Sequence, residues 1–253
     1  DQQLDIPQTA LQSYNQLAWF DGVADYASVP DSYHFSFQAD VAFSLSAWIF
    51  MNDATNFPII CKDATSHREW AFGTNSNDKL AIQVIDSSAN AYQGRLYDTA
   101  LTSYEGQWIH VAATSNGNEG NADSGLDIYI NGELVDDTND NDGSYTSMEN
   151  KTTPVTIGAR LKDSLYANGC ITEASVWNTE LSEADIKELY NEGLALDATT
   201  HSQSSYIKGY WRNNGIATWV NLNDPGTHDA SAESLTETML ITAGADSSRD
   251  SQG

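Results

Sequence analysis

Residues 126–135 read LDIYINGELV and carry the strongest local signal for a fold in this chain. The central pair, Asn131 and Gly132, consists of two residues that tolerate a positive φ, and strand-like apolar sequence lies on either side. A type I′ turn needs that backbone conformation, and its twist matches two antiparallel strands. The stretch therefore predicts a β-hairpin.

Three further stretches alternate apolar side chains with a period of two, which is typical of half-buried strands. They occupy residues 44–50, 80–85 and 109–114, and loops rich in Asn, Asp, Ser and Gly separate them. A chain of 253 residues, 40% of them hydrophobic, can build one core as an all-β domain. The pattern favours an all-β, two-sheet antiparallel β-sandwich.

One helix interrupts this pattern late in the chain. Ser182 can cap its N-terminus, and Asp185 three residues later can complete a capping box. Leu181 before the cap can pack on Ile186, and Gly193 suits the exit from the helix. We therefore predict a sandwich with one short, late α-helix rather than an α/β fold.

Composition divides the chain into three parts. Residues 1–16 are polar and read as an N-terminal arm, residues 17–196 form the sandwich, and residues 197–253 form a β-rich extension that packs on it. No signal-peptide pattern opens the chain, so we expect any leader to be absent already. Cys61 and Cys170 are too few for a disulfide scaffold, so we expect two buried thiols, with a bridge as the alternative.

The charge is strongly acidic, since 36 Asp and Glu residues against 11 Lys and Arg give a formal net charge of −25. Phosphate binding needs clustered basic residues, so nucleic-acid partners and anionic membrane surfaces are excluded. No apolar run approaches the roughly 20 residues of a spanning helix, which excludes membrane insertion. An acidic surface of this kind is suited to salty, marine water, where screening weakens its self-repulsion.

Six stretches, in the expected order, resemble the laminin-G-like branch of the concanavalin A-like lectin and glucanase superfamily. They are FDGVADYASVP at 20–30, FSLSAWI at 43–49, GQWIHVA at 106–112, the hairpin at 128–135, Ile157-Gly158, and GCITE at 169–173 running through Trp177 and the helix to Tyr190. The resemblance covers residues 17–194 and implies a jelly-roll sandwich. It also implies a structural calcium near Asp21 and Asp25, although Thr172 stands where that family usually has an Asp that helps to hold the ion. The alternative is that Asp21 simply makes an Asx-type turn.

The C-terminal sequence resembles extensions on laminin-G-like virion proteins of marine tailed phages. The stretches that carry this resemblance are residues 209–215, 218–219, 239–241 and 249–253. The alternative is a bacterial surface protein with an additional hairpin.

Motifs for catalysis are missing from the sequence. Glucanases of the superfamily carry an E-x-D-x-E strand that places two carboxylates on one face, and this chain has no such strand. Nucleophile elbows, zinc-protease motifs and phosphate-binding glycine loops are also missing. We therefore predict that the protein is not an enzyme.

Two kinds of binding residue stand out. Residues 138–149 approach a twelve-residue calcium loop, with Asp140 and Asp142 at positions three and five, Gly143 at the sharp turn and Glu149 closing the shell. Thr138 takes the place of the usual first Asp, and the alternative is an acidic loop without a ligand. For a glycan, loop tyrosines could offer exposed aromatic faces, and the candidates are Tyr92, Tyr97 and Tyr104.

Two functions follow from these observations. The first is a non-catalytic structural or display protein of a virion or cell surface, acting through contacts with other virion or surface proteins. The second is a carbohydrate-binding adhesion module, assisted by calcium, that uses loops at one end of the sandwich to bind glycans. Both place the protein on the virion surface or in the extracellular space.

Overall fold

The computed structural model describes residues 16–38, 41–118, 124–135 and 137–240. Most of the predicted N-terminal arm and the tail beyond residue 240 lie outside this range. Strands dominate, with one α-helix in the described residues, α1 (Glu183–Tyr190). The strands are β1 (Gln16–Asp21), β2 (Tyr26–Val29), β3 (Phe43–Met51), β4 (Pro58–Ala64), β5 (His67–Thr74), β6 (Leu80–Asp86), β7 (Ala91–Tyr97), β8 (Trp108–Ser115), β9 (Leu126–Ile130), β10 (Glu133–Leu134), β11 (Asp137–Asn139), β12 (Val155–Ile157), β13 (Ala159–Arg160), β14 (Leu165–Tyr166), β15 (Asn168–Trp177), β16 (Ile207–Trp211), β17 (Ser231–Glu233) and β18 (Glu237–Leu240).

The strands form two large antiparallel sheets, which confirms the predicted sandwich. The first sheet has the order β10-β9-β8-β3-β15-β1-β18, and β16 also pairs with β15. The second has the order β11-β7-β6-β5-β4-β12-β2-β17, and β13 and β14 form a separate hairpin. At the edge of the first sheet, β1 and β18 lie side by side, with Gln16 opposite Leu240. The described residues contain no helix with the length and apolar character needed to cross a bilayer.

The main core lies between the two sheets. Alternate residues of β3, namely Leu45, Ala47 and Ile49, pack there against Phe72 of β5 and Ile82 of β6, and all five are fully buried. This is the face that the period-two pattern predicted. Burial of such side chains contributes about 25 cal/mol per Å² of apolar surface removed from water, so this core is the main source of stability.

The other face of the first sheet is buried as well, which differs from the half-buried strands that we expected. Helix α1 and the segment around residues 195–201 cover it. Trp177 packs there with Leu181 and Ile186, and Trp48 packs in a neighbouring cluster that includes Tyr190. The first sheet is therefore the middle layer of three over much of its area.

The local predictions for the helix and the hairpin are confirmed. Ser182 accepts a bond from the backbone N–H of Asp185, whose carboxylate accepts from the N–H of Ser182, so the capping box is complete. The helix ends at Tyr190, and its C-cap is Asn191, with φ 48°, two residues before the predicted Gly193. Asn131 and Gly132 have φ 52° and 83°, as a type I′ turn requires. Both cysteines are free and buried.

Sequence after residue 196 supplies strands to both sheets. β16 pairs with β15, β17 pairs with β2, and β18 pairs with β1. Glu173, at a bulge in β15, accepts a bond from Arg212 Nε at 2.6 Å and another from the hydroxyl of Tyr210, which ties β16 to its neighbour. The predicted boundary at residue 196 stays a prediction, although the C-terminal strands are integral to the sheets.

His110 of β8 lies beneath the outer layer and is 1% exposed. Its ring lies near those of Trp48 and Tyr190, and its Nδ1 has no hydrogen-bond partner among the described residues. Burial lowers the pKa of His110 from 6.5 to about 3, because the folded protein cannot solvate the imidazolium. The folded state therefore holds the neutral imidazole.

We predict that His110 makes the fold sensitive to acid. Below about pH 6.5 the His110 imidazole is protonated in the unfolded chain but not in the folded chain. Stability therefore falls as the pH drops from about 6.5 towards 3. Between pH 7 and pH 5 the free energy of unfolding falls by about 2 kcal/mol for this reason. His110→Phe keeps an aromatic ring at this position and should remove that part of the pH dependence in denaturant titrations. The exposed His67→Phe should leave it unchanged, and equal pH dependence in the wild type and His110→Phe would contradict the prediction.

Candidate ligand-binding site

The outer face of the second sheet contains a cavity of about 210 Å³. Its floor is made of small side chains on β4, β5 and β6, which include Cys61, Ala71 and Ala81. Phe72 and Ile82, the strand neighbours of Ala71 and Ala81, pack into the core on the opposite face. Polar groups surround the floor: Asn56, Asn75, Gln83, Arg160 and Asp163.

A chain of hydrogen bonds runs across this face. The Tyr92 hydroxyl donates to Asp140 Oδ1 at 3.3 Å, and Gln83 Nε2 donates to Asp140 Oδ2 at 2.7 Å. The other end of the Gln83 amide accepts from Arg160 Nη2 at 2.9 Å. Because Gln83 donates at one end and accepts at the other, its amide orientation is fixed by the network.

The chain of bonds continues through Asp63, whose side chain is fully buried. Its Oδ2 accepts from Arg160 Nε at 2.6 Å, and its Oδ1 accepts from Arg68 Nε at 2.8 Å. One buried carboxylate thus holds two guanidinium groups in place. Arg160 lines the cavity described above, and Arg68 lines a second cavity at the turns between β4 and β5 and between β6 and β7.

Cys61 offers no nucleophile at the cavity floor. Burial raises the pKa of its thiol to about 12, so the reactive thiolate is scarce near neutral pH.

The residues of the predicted calcium loop do not form one ligand set. Asp140 belongs to the network with Gln83 and Tyr92, and Asp142 pairs through its backbone with Tyr92. Glu149 accepts from the backbone N–H of Ser88 at 2.8 Å and pairs with Lys151 at 3.1 Å. The arrangement does not fit the twelve-residue loop, and calcium here stays a prediction from the sequence.

Asp86, which the sequence reading missed, helps to hold the predicted loop. Its carboxylate accepts from the backbone N–H of Ala89 at 2.9 Å and of Thr146 at 3.1 Å. Burial alone would raise the pKa of Asp86, but these backbone bonds outweigh it and lower the pKa. Gly143 has φ 71° and has Ala91 against it, which leaves no room for a side chain.

The other predicted calcium ligands are Asp21, the last residue of β1, and Asp25 in the turn that follows. Asp21 Oδ1 accepts from the backbone N–H of Val23 at 2.7 Å and of Ala24 at 3.2 Å, which is an Asx-type turn. Asp25 is buried, and its Oδ2 accepts from the Asp21 N–H at 3.3 Å. Burial first, and then the charge of Asp21, raise the pKa of Asp25. Backbone donors thus stabilise this turn, and calcium at the pair stays a prediction.

The three predicted sugar-binding tyrosines lie in different surroundings. Tyr92 belongs to the polar network and packs on Cys61, Ala71 and Ile85. Tyr97 and Tyr104 are partly buried against the main core instead. The structure thus brings Tyr92 together with Asp140 and Asp142, and none of the three tyrosines is among the residues that line the cavity.

One cluster of potential metal ligands, Asp185, Glu188 and His201, occurs among the described residues. His201 Nδ1 accepts from the backbone N–H of Gln203 at 2.9 Å, which leaves the proton on Nε2, and Nε2 faces the carbonyl of Asp185 at 2.9 Å. No lone pair of the ring is left for a metal. The cluster instead fastens residues 201–203 to α1.

Sequence reasoning missed Gln83, Arg160, Asp63 and Arg68. The sequence did offer one signal: the chain has only 11 basic residues, so each of them marks a position worth considering as a functional or structural ion pair. Their convergence could not be read from the sequence, because it depends on how β4, β5, β6 and β13 are placed side by side.

Comparison with known proteins agrees with this architecture. Residues 21–187 match a laminin G-type family described as the concanavalin A-like lectin/glucanases superfamily. The chain belongs to this superfamily. No curated protein sequence matches the chain significantly.

Among solved structures, members of similar fold include a candidate carbohydrate-binding protein from Bacteroides ovatus. It is 16% identical, with a TM-score of 0.60, and the match covers 90% of this chain and 60% of that protein. The chain thus spans less than two thirds of that protein's length. The heptameric SAP-like pentraxin of Limulus polyphemus is 14% identical, with a TM-score of 0.53 over 90% of this chain and 96% of the pentraxin. At these identities the likeness shows the superfamily fold alone.

We predict that Asp63 is indispensable for the stability of this superfamily member. Asp63→Asn leaves two buried or half-buried guanidinium groups without their shared counter-charge, which should lower the free energy of unfolding by about 3 kcal/mol. Asp163→Asn is the matched control, because Asp163 faces the same Arg160 at 3.8 Å but has a side chain 39% exposed. Its loss should cost less than about 1 kcal/mol in the same denaturant titration. Equal losses for the two variants would contradict the role given to Asp63.

Proposed function

We propose that this protein is a non-catalytic carbohydrate-recognition domain that binds a glycan on the outer face of the second sheet. The observation that carries the proposal is the bonded chain from Tyr92 to Arg68, which borders a cavity with a floor of small side chains. The superfamily fold and the similarity to a candidate carbohydrate-binding protein support it.

The groups on this face suit a ligand rich in hydroxyls. A sugar hydroxyl both donates and accepts, so its site needs fixed groups of both kinds. Arg160 offers donors only, Asp163 acceptors only, and the amides of Asn75 and Gln83 offer both. Because their neighbours hold Arg160 and Gln83 in place, little side-chain entropy is lost when a ligand binds.

The carboxylates on this face are poor candidates for glycoside hydrolysis. That reaction needs one carboxylic acid to protonate the leaving group and a second carboxylate as nucleophile or base. Asp63 is enclosed by two arginines, and Asp140 accepts from Gln83 and Tyr92. Asp163 pairs with Lys162 at 2.7 Å and with Arg160 at 3.8 Å. None of the three is arranged to deliver a proton, so we propose binding without turnover.

The display role at a virion or cell surface remains a second proposal, supported by the acidic surface and by the resemblance of the tail sequence. An extracellular or virion-surface location and calcium assistance belong to the same group of proposals. A glycan array separates the two functions, since a display protein that works through protein contacts gives uniformly negative arrays.

We predict that Gln83→Ala weakens glycan binding about tenfold, because it removes a cavity group and releases Arg160 from one of its partners. The array identifies a bound glycan, and calorimetry then compares the variants. Gln107→Ala, which removes an exposed amide bonded to the Ser103 carbonyl, should bind like the wild type. A negative array, or release of reducing sugar from the bound glycan, would overturn the proposed function.

A further inference from the structure

A second cavity, of about 460 Å³, lies at one end of the second sheet. Two neighbouring turns form much of it: residues 65–66 join β4 to β5, and residues 87–90 join β6 to β7. Three basic residues line this cavity, namely Arg68, Lys151 and Lys162. The other lining residues are neutral hydroxyls and one amide: Thr65, Ser66, Ser87, Ser88 and Asn90.

This composition is unusual for the chain. Acidic residues outnumber basic ones by 36 to 11, yet the cavity is lined by three bases and by no acid. Each base has a carboxylate partner: Asp63 for Arg68, Glu149 for Lys151 and Asp163 for Lys162. None of these carboxylates lines the cavity, so the groups that a ligand would meet there are cationic or neutral.

Buried groups fix Lys151 in position. Lys62 and Glu69, both with fully buried side chains, form an ion pair with each other. Lys62 Nζ donates to the Lys151 carbonyl at 2.8 Å, and Glu69 Oε1 accepts from the Lys151 N–H at 2.9 Å. The pair therefore holds both backbone groups of one cavity residue.

Asp63 binds the side chain of Arg68 and the backbone of Lys162. Its carboxylate binds Arg68 through Nε at 2.8 Å and through Nη2 at 3.4 Å, and no described residue accepts a bond from Nη1. Its backbone carbonyl accepts from the N–H of Lys162 at 3.0 Å. The guanidinium of Arg68 and the backbone of both lysines are thus held in place by the fold.

The two cavities are neighbours. Asp63 joins Arg68 in the second cavity to Arg160 in the first, and the turn after β13 contributes Lys162 to one and Asp163 to the other. A polymer that occupies the first cavity can therefore place a substituent in the second.

We propose that the second cavity binds an oxyanion substituent, a carboxylate or a sulfate ester, of an anionic polysaccharide. This inference rests on the proposed function and names the class of glycan. Charge-assisted bonds from Arg68 and the two lysines are the stronger kind of hydrogen bond. At physiological ionic strength the Debye length is about 8 Å, so these contacts act locally while the repulsion from the distant acidic surface is screened.

Three polymers with one backbone test the proposal: dextran, carboxymethyl dextran and dextran sulfate. At 0.15 M salt we expect one or both charged polymers to bind the full chain at least about tenfold more tightly than dextran. The double variant Lys151→Gln/Lys162→Gln should reduce that preference to below about twofold. Lys187→Gln/Lys208→Gln is the control, because it removes the same net charge from other sites and should retain the preference.

The outcomes separate the two proposals. If neither charged polymer is preferred, or if the preference survives in the cavity variant, the oxyanion site is wrong. If the oxyanion site fails this test but neutral glycans on the array still bind, the proposed carbohydrate function stands without an oxyanion site. If no glycan or polymer binds at all, both are wrong. Preference for dextran sulfate alone or carboxymethyl dextran alone supports the site and identifies the substituent.

Discussion

The rest of the structure depends on the need to cover the first sheet on both faces. Its strands carry apolar residues towards the main core and large aromatic ones, such as Trp48 and Trp177, in the opposite direction. Leaving the aromatic face in water would forfeit a large part of the hydrophobic stabilisation. Helix α1 and the segment around residues 195–201 cover it, and the smaller cavity lies on the outer face of the other sheet.

On that face, Asp63 is the organising residue. A carboxylate that is fully removed from water is tolerated only when opposite charges and hydrogen bonds surround it. Two arginines meet this need, and each extends into a different cavity. The buried carboxylate of Asp63 therefore holds the guanidinium groups of Arg68 and Arg160 in fixed positions.

Local patterns in the sequence were good predictors of local structure. The Asn131-Gly132 turn and the Ser182–Asp185 capping box depend on neighbours within a few residues, and both formed as predicted. The covering of the first sheet was not predictable in this way, because it includes contacts such as that of Trp48 with Tyr190, which are more than 100 positions apart. Neither were the cavities, whose basic residues come from separate strands and turns.

The predicted calcium loop has hydrogen-bond partners that its sequence pattern does not reveal. Residues 138–149 have the spacing of a known ion site, but spacing does not reveal competing donors. In the folded chain Gln83 and Tyr92 bind Asp140, and the Ser88 backbone binds Glu149. Those partners come from β6, β7 and the turn between them, which the loop meets only after folding.

The pairing of β1 with β18 has a mechanical consequence. Gln16 and Leu240 are opposite each other at one end of this strand pair. Tension applied at these two residues pulls the pair apart like a zipper, so its hydrogen bonds break one at a time instead of sharing the load. Under tension the β1–β18 edge of the first sheet therefore unfolds first, while the central β3–β15 pairing and the opposite sheet remain intact.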